Sequence, residues 1–193
     1  MAAPQPPATG ATPPVSPAVL VLGDIDTGDV ASLLAAYGLS LALVEDGASI
    51  PGSYWGEPEA GIIGSVVHAR RDTPLHSLLH EAGHLVVLPV ERRAAVHTDA
   101  TDSIAEEDAV CVLQALLADA LPGVGAARVL ADMDAWGYTF RLGSAAAYVA
   151  HDAASAWQWL AERGLADAAT RCLLLPDQPR HALADLRPPL SAH

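Results

Sequence analysis

Positive charge is scarce in this chain. Ten arginines and no lysine stand against 23 aspartates and glutamates, for a net charge of -13. The largest basic groups are the pairs Arg70-Arg71 and Arg92-Arg93, so the chain lacks the positive surface that nucleic-acid phosphates require, and no nucleic-acid partner is expected. Cysteine is nearly absent. Cys111 and Cys172 form no C-x-x-C pair, which argues against a disulfide framework, and Cys111 falls in a helical stretch as a small core residue. Long apolar runs are missing too. None approaches the roughly 18 residues of a membrane helix. The first 17 residues carry no Lys or Arg, and the apolar run at 18–22 is too short for a secretory signal. The expectation is a cytoplasmic protein with no membrane partner.

What remains is 51% hydrophobic and 17% charged, rich in alanine, and 193 residues long. That is enough chain for one domain with a full core. The expected layout is a disordered Pro/Ala-rich leader at 1–17, a single domain at 18–185 and a tail at 186–193. Thr27-Gly28-Asp29 signals a helix start before 30–37, and Gly38 its end. Strands are expected at 39–44 and 61–69, separated by a turn-rich loop with Pro51, Gly52, Gly56 and Pro58. Thr73-Pro74 opens a helix through about Leu88, with Thr73 as N-cap. A polar loop at 90–103 leads to a long helix at 104–121, with further helices at 126–135 and 144–163. The fold class is α+β, a small mainly antiparallel sheet packed on one central helix and a helical bundle.

Within the helix after Pro74 lies His80-Glu81-Ala82-Gly83-His84, flanked by Leu78, Leu79, Leu85, Val86, Val87 and Leu88. At helical spacing His80 and His84 project from one face, one turn apart, so both imidazoles can reach one ion. Glu81 sits about 100° around the helix, near enough to touch a water at that ion without being a ligand. A helix apolar nearly all round is buried, and buried His, Glu and His need partners to offset their desolvation. Two histidines at this spacing with an intervening glutamate are the working arrangement of a zinc hydrolase.

Catalytic zinc usually takes three protein ligands. Glu106 is the candidate for the third, because Val110, Leu113 and Leu117 fall within about 40° of it on a helix, placing it on the apolar stripe. Glu107, beside Gln114, falls about 100° away, and Asp108 about 200° away, both toward water. The other reading of Glu106 is a first-turn acid that complements the helix dipole.

With Glu106-x-x-Ala109-x-x-Val112-Leu113-x-x-Leu116-Leu117 following His84 by 22 residues, the pattern resembles zincin metallopeptidases whose third ligand is a downstream helical glutamate. Within those gluzincin-like enzymes it is most similar to the ImmA/IrrE-type zinc proteases. Val112 and Leu113 stand where that family commonly has Phe and Ala, and Ala120-Leu121-Pro122 where it often has Met-Pro. The resemblance spans about 61–122. The metzincin pattern is ruled out by Val90 at its third histidine position. The resemblance implies a zincin-like fold and a strand at 61–69 that accepts an extended peptide along its edge, a mode that an unpaired edge also allows on physical grounds.

His76 lies one turn before His80 and is a further ligand or supporting group, or a partly buried helix residue. His97 and Asp99 sit in the loop between the ligand helices, and Asp102 and Ser103 are cap candidates for the second. Asp134 is a candidate partner for a ligand imidazole, while Tyr138 and His151 are candidate oxyanion donors. Core packing is the other reading of Trp136 and Tyr138. The expected function is a zinc metallopeptidase in which His80, His84 and Glu106 hold Zn²⁺ and Glu81 is the general base, acting on a peptide or protein. The alternative is a non-catalytic zincin-like metal-binding or regulatory module.

Overall fold

The computed structural model describes residues 19–100, 103–175 and 181–182. The leader at 1–17, the tail at 186–193 and the capping role of Asp102 lie outside the described residues. Among those described, the chain is α+β, with seven α-helices and two small three-stranded sheets. No helix among them is long and apolar enough to cross a membrane.

A 3-10 turn at Leu22–Asp24 leads into α1, Thr27–Ala36. Asp26 caps α1, its carboxylate accepting from Gly28 N at 2.7 Å, one residue before the expected signal. Strand β1, Ser40–Leu43, runs parallel to β3, Val66–Ala69, which pairs antiparallel with β2, Gly61–Ile63. The first sheet is therefore mixed, in the order β1-β3-β2. The single strand expected at 61–69 is in fact a tight hairpin. Gly64 takes a φ of 61° between its arms, a conformation that is unfavourable for a β-branched residue such as its neighbour Ile63. Buried Arg70 anchors the preceding loop by bonding Ala48 O at 2.8 Å and the carboxylates of Glu57 and Asp72.

Helix α2, Leu75–Val87, carries the two-histidine motif. Pro74 is its N-cap, while Thr73 instead accepts from Arg70 N at 2.9 Å. A four-residue helix α3, Val90–Arg93, occupies part of the expected loop. Helix α4, Ile104–Asp119, begins at Ser103, whose hydroxyl accepts from Glu106 N at 3.4 Å. Every residue from Ala109 to Ala118 is buried, so α4 has no solvent face along that span. It packs against α2, against α5, Ala126–Trp136, and against α7, Ala154–Glu162. Burial of Leu113, Leu116 and Leu117 on α4 with Leu78, Leu79 and Leu85 on α2 contributes about 1.5–3 kcal/mol per side chain.

Helices α2 and α4 cross closely. A Cβ added at Gly83 would stand 2.9 Å from Val110 Cγ1, so glycine is what lets the motif helix lie against α4. The helix expected over 144–163 divides into α6, Ala145–His151, and α7, because Asp152 and Ala153 leave helical geometry between them. Strands β4, Ala166–Asp167, β5, Cys172–Leu173, and β6, His181–Ala182, form a second antiparallel sheet. Strands of two residues give too little alternation to be seen in sequence.

Candidate metal centre

Helix α2 delivers His80 and His84 to the crevice that it makes with the first two turns of α4. Their Nε2 atoms face each other at 3.2 Å. The Glu107 carboxylate closes the group, with one oxygen 3.4 Å from His84 Nε2 and the other 3.6 Å from His80 Nε2. Among the described residues this is the one cluster of three or more His, Cys, Asp or Glu side chains with mutual spacing suited to a metal.

The structure brings Glu107 between the two Nε2 atoms, one residue from the position expected. Glu106, not Glu107, was expected to meet both histidines, but its Oε1 lies 3.8 Å from His84 Nδ1, on the far side of that ring. The physical reason is that α4 is buried on every side from Ala109 to Ala118. A helix surrounded by protein has no single apolar stripe, so alignment with Val110, Leu113 and Leu117 does not indicate which face meets α2. Gln114 carries that information. It is a fully buried amide, and its Oε1 lies 3.1 Å from His80 Nδ1. Residues seven apart share a helical face, so Gln114 and Glu107 are presented to the histidines together.

These donors fit a zinc ion. The two Nε2 atoms, 3.2 Å apart, match the roughly 3.3 Å that separates two ligand atoms about 2.05 Å from a tetrahedral centre, and the Glu107 carboxylate turns a different oxygen to each of them, at 3.4 and 3.6 Å. Imidazole and carboxylate suit zinc chemically. His84 Nδ1 and Glu106 Oε1 are also buried without a hydrogen-bond partner, a cost relieved if a small shift closes the 3.8 Å between them.

Charge is poorly balanced at the centre. Burial pushes the Glu81 carboxyl up to about 8, His84 opposes this, and Glu59, Glu107 and Asp99 add to it. Burial raises Glu107 as well, with Glu106 among the repelling neighbours. His80 is held well below the ordinary histidine value by burial and by His84. Burial also opposes charging of His84, but Glu106, Glu107 and Glu81 outweigh it and leave His84 raised. Either a shared proton or a cation between the nitrogens offsets this accumulation of acceptors.

The remaining candidates are placed as follows. Glu81 is half-buried on α2 beside His80. His76 is fully buried, with neither ring nitrogen hydrogen-bonded, against Trp136 at 5.3 Å and Tyr138 at 5.7 Å between centroids. Tyr138 lies edge-on to His80 at 6.1 Å and packs on the core, while Trp136 Nε1 donates to Glu59 at 3.0 Å. Asp134 is not brought to an imidazole, because its Oδ1 accepts from Ala145 N at 2.7 Å and so supports the start of α6. His151 is exposed in the last turn of α6, and no bond or ring contact joins it to the histidine pair among the described residues.

The peptide edge expected at 61–69 is already engaged. Strand β3 is central, and on edge strand β2 the outward groups of Ile62 are both bonded: its N donates to Gly52 O at 3.2 Å, and its O accepts from Thr98 N at 2.9 Å. The strap at 96–99 that supplies Thr98 also bonds Gly64 N through Val96 O at 2.9 Å. Asp99, its last residue, acts electrostatically on Glu81 and Glu107, so the strap links the sheet edge to the centre.

The chain matches no protein-family profile, no curated protein and no solved structure.

Proposed function

We propose that this chain is a zinc-dependent metallopeptidase of the gluzincin kind, with His80, His84 and Glu107 as ligands and Glu81 as general base. The observation that carries the reading is the meeting of two imidazole Nε2 atoms 3.2 Å apart with the two oxygens of the Glu107 carboxylate at 3.4 and 3.6 Å, beside the half-buried Glu81 on the motif helix. When bound, zinc supplies Lewis acidity. Glu106 takes the part of a carboxylate behind His84 Nδ1, an arrangement common around zinc-bound imidazoles.

Glu81 accepts a proton from the attacking water and returns it to the leaving amine. Its raised pKa suits that cycle, and a cation held by the neighbouring donors draws it back toward neutrality. A purely structural metal site has no use for such a base, and it closes with four protein ligands rather than three.

The engaged edge of β2 favours a second reading, a zincin-like module that binds metal without catalysis. An extended peptide can pair fully with Ile62 only after the bonds to both Thr98 and Gly52 open. Metal analysis of protein purified without an affinity tag, followed by peptide cleavage with wild type and Glu81→Gln, separates the readings. One equivalent of zinc with cleavage that depends on Glu81 supports the enzyme. Zinc without cleavage supports the module, and no zinc uptake defeats both.

A further inference from the structure

We propose that Gln114 is a positioning residue that holds His80 in the tautomer protonated on Nδ1, presenting a bare Nε2 to the metal centre. Its purpose rests on the metal reading above, but the contact itself can be read in metal-free protein.

Gln114 is fully buried in the middle of α4. A buried amide is costly unless both its ends find partners. The oxygen lies 3.1 Å from His80 Nδ1, and the nitrogen donates to Met133 Sδ on α5. Met133 is itself fully buried.

The sulfur decides which way the amide points. A thioether accepts hydrogen bonds and has no proton to donate. Turning the amide over would set its oxygen against the sulfur with no proton between them. The nitrogen therefore belongs beside Met133 and the oxygen beside His80. An amide oxygen cannot donate either, so the contact to Nδ1 requires the proton to sit on Nδ1. A neutral imidazole carries one proton, which leaves the His80 Nε2 lone pair free toward His84 and Glu107.

The two histidines are thus backed by different chemistry: a neutral amide behind His80, and the Glu106 carboxylate 3.8 Å behind His84. The neutral group has a reason. Glu81, Glu106 and Glu107 already crowd the centre, and the chain contains no lysine to offset another carboxylate. Glutamine fixes the tautomer without adding charge.

Long-range ¹H–¹⁵N NMR of the histidine rings in metal-free protein tests this directly. Wild type is expected to show His80 protonated at Nδ1 and bare at Nε2. Gln114→Leu should let the Nε2-protonated form appear and weaken zinc binding about 10–100-fold. Met133→Leu keeps Gln114 but removes the sulfur, and should also mix the tautomers, which provides a second test if Gln114→Leu does not fold. A wild-type His80 protonated at Nε2, or a tautomer unchanged in both Gln114→Leu and Met133→Leu, overturns the proposal. A correctly poised His80 in a protein that takes up no zinc supports the contact and overturns the metal reading instead.

Discussion

Glu107 and Gln114 lie seven residues apart on α4 and meet the two histidines from one face, Glu107 at 3.4 Å from His84 Nε2 and Gln114 at 3.1 Å from His80 Nδ1. Two turns of one helix thereby bring a carboxylate to the Nε2 atoms and an amide to the Nδ1 of His80. The arrangement depends on the close α2–α4 crossing at Gly83.

The roles of adjacent carboxylates follow from that face. Glu107→Ala removes a group next to both Nε2 atoms and should abolish stoichiometric zinc retention. Glu106→Ala removes a group behind His84 Nδ1 and should weaken affinity about 10–100-fold while leaving stoichiometry at saturation. Zinc titration of the two variants checks this. The opposite ranking would restore Glu106 as ligand and move the register back by one residue.

Gly83→Ala should drive its new methyl into Val110, 2.9 Å from the Cβ position. Overpacking of this kind costs about 1–3 kcal/mol, and by separating α2 from α4 it should lower zinc affinity as well. Val110→Ala in the same chain opens the space, so the double variant should recover much of what Gly83→Ala loses. Denaturant melts of the cycle measure the coupling. Additive losses would place the strain elsewhere.

The sequence revealed the helices well because their signals are local. The buried run around the motif, Ser103 ahead of α4 and Pro89 after α2 each mark an element in a few residues. The α+β class followed from the order of those elements. What stayed hidden depends on neighbours. That Glu107 rather than Glu106 faces both Nε2 atoms is set by which side of α4 meets α2, and from Ala109 to Ala118 the helix is buried on every side, so periodicity is silent there. Gln114 was the readable clue, a lone amide amid Leu113, Ala115, Leu116 and Leu117. The hairpin at Gly64 and the covered edge of β2 arise from pairing with segments over 30 residues away in the strap's case, which no local pattern records.

His76 and Glu81 tilt the stability of metal-free protein in opposite directions with pH. Burial lowers His76 to about 3 from 6.5. Between those values the unfolded chain binds a proton that the folded one refuses, so stability rises with pH. Burial raises Glu81 from 4.5 to about 8. Across that window the folded chain keeps a proton that the unfolded one releases, so stability falls as pH rises. Above 6.5 only Glu81 of the two still contributes, at about 1.4 kcal/mol per pH unit for one full proton. Melts between pH 6.5 and 8 should show metal-free wild type losing stability, with Glu81→Gln flattening the slope. Equal slopes in both proteins would detach the effect from Glu81.

Glu81→Gln also separates catalysis from metal binding. It keeps the size of the side chain and leaves His80, His84 and Glu107 in place. Loss of a general base typically costs about 10²–10⁴-fold, so cleavage of a pool of quenched fluorescent peptides should drop by that order at unchanged zinc content. Undiminished cleavage removes Glu81 from the mechanism. Loss of zinc instead makes it a ligand or a support for one.

The strap at 96–99 offers a test of how substrate reaches the centre. Thr98 holds a φ of 72°, unfavourable for a β-branched residue, while its N–H donates to Ile62 O at 2.9 Å. Proline at this position cannot donate and is confined to a φ of about -65°, so Thr98→Pro should lift the strap from β2 without touching a ligand. An intramolecular hydrogen bond contributes about 1 kcal/mol net, equivalent to roughly a fivefold change in an equilibrium. If the strap competes with an extended peptide for Ile62, kcat/KM should rise by about that factor through a lower KM, with zinc content unchanged. Short dipeptide substrates, which need no pairing with β2, should gain less. A fall in cleavage with zinc retained would show that the strap builds the substrate site rather than covering it, and an unchanged KM would mean that peptides enter by a path that does not use the edge of β2.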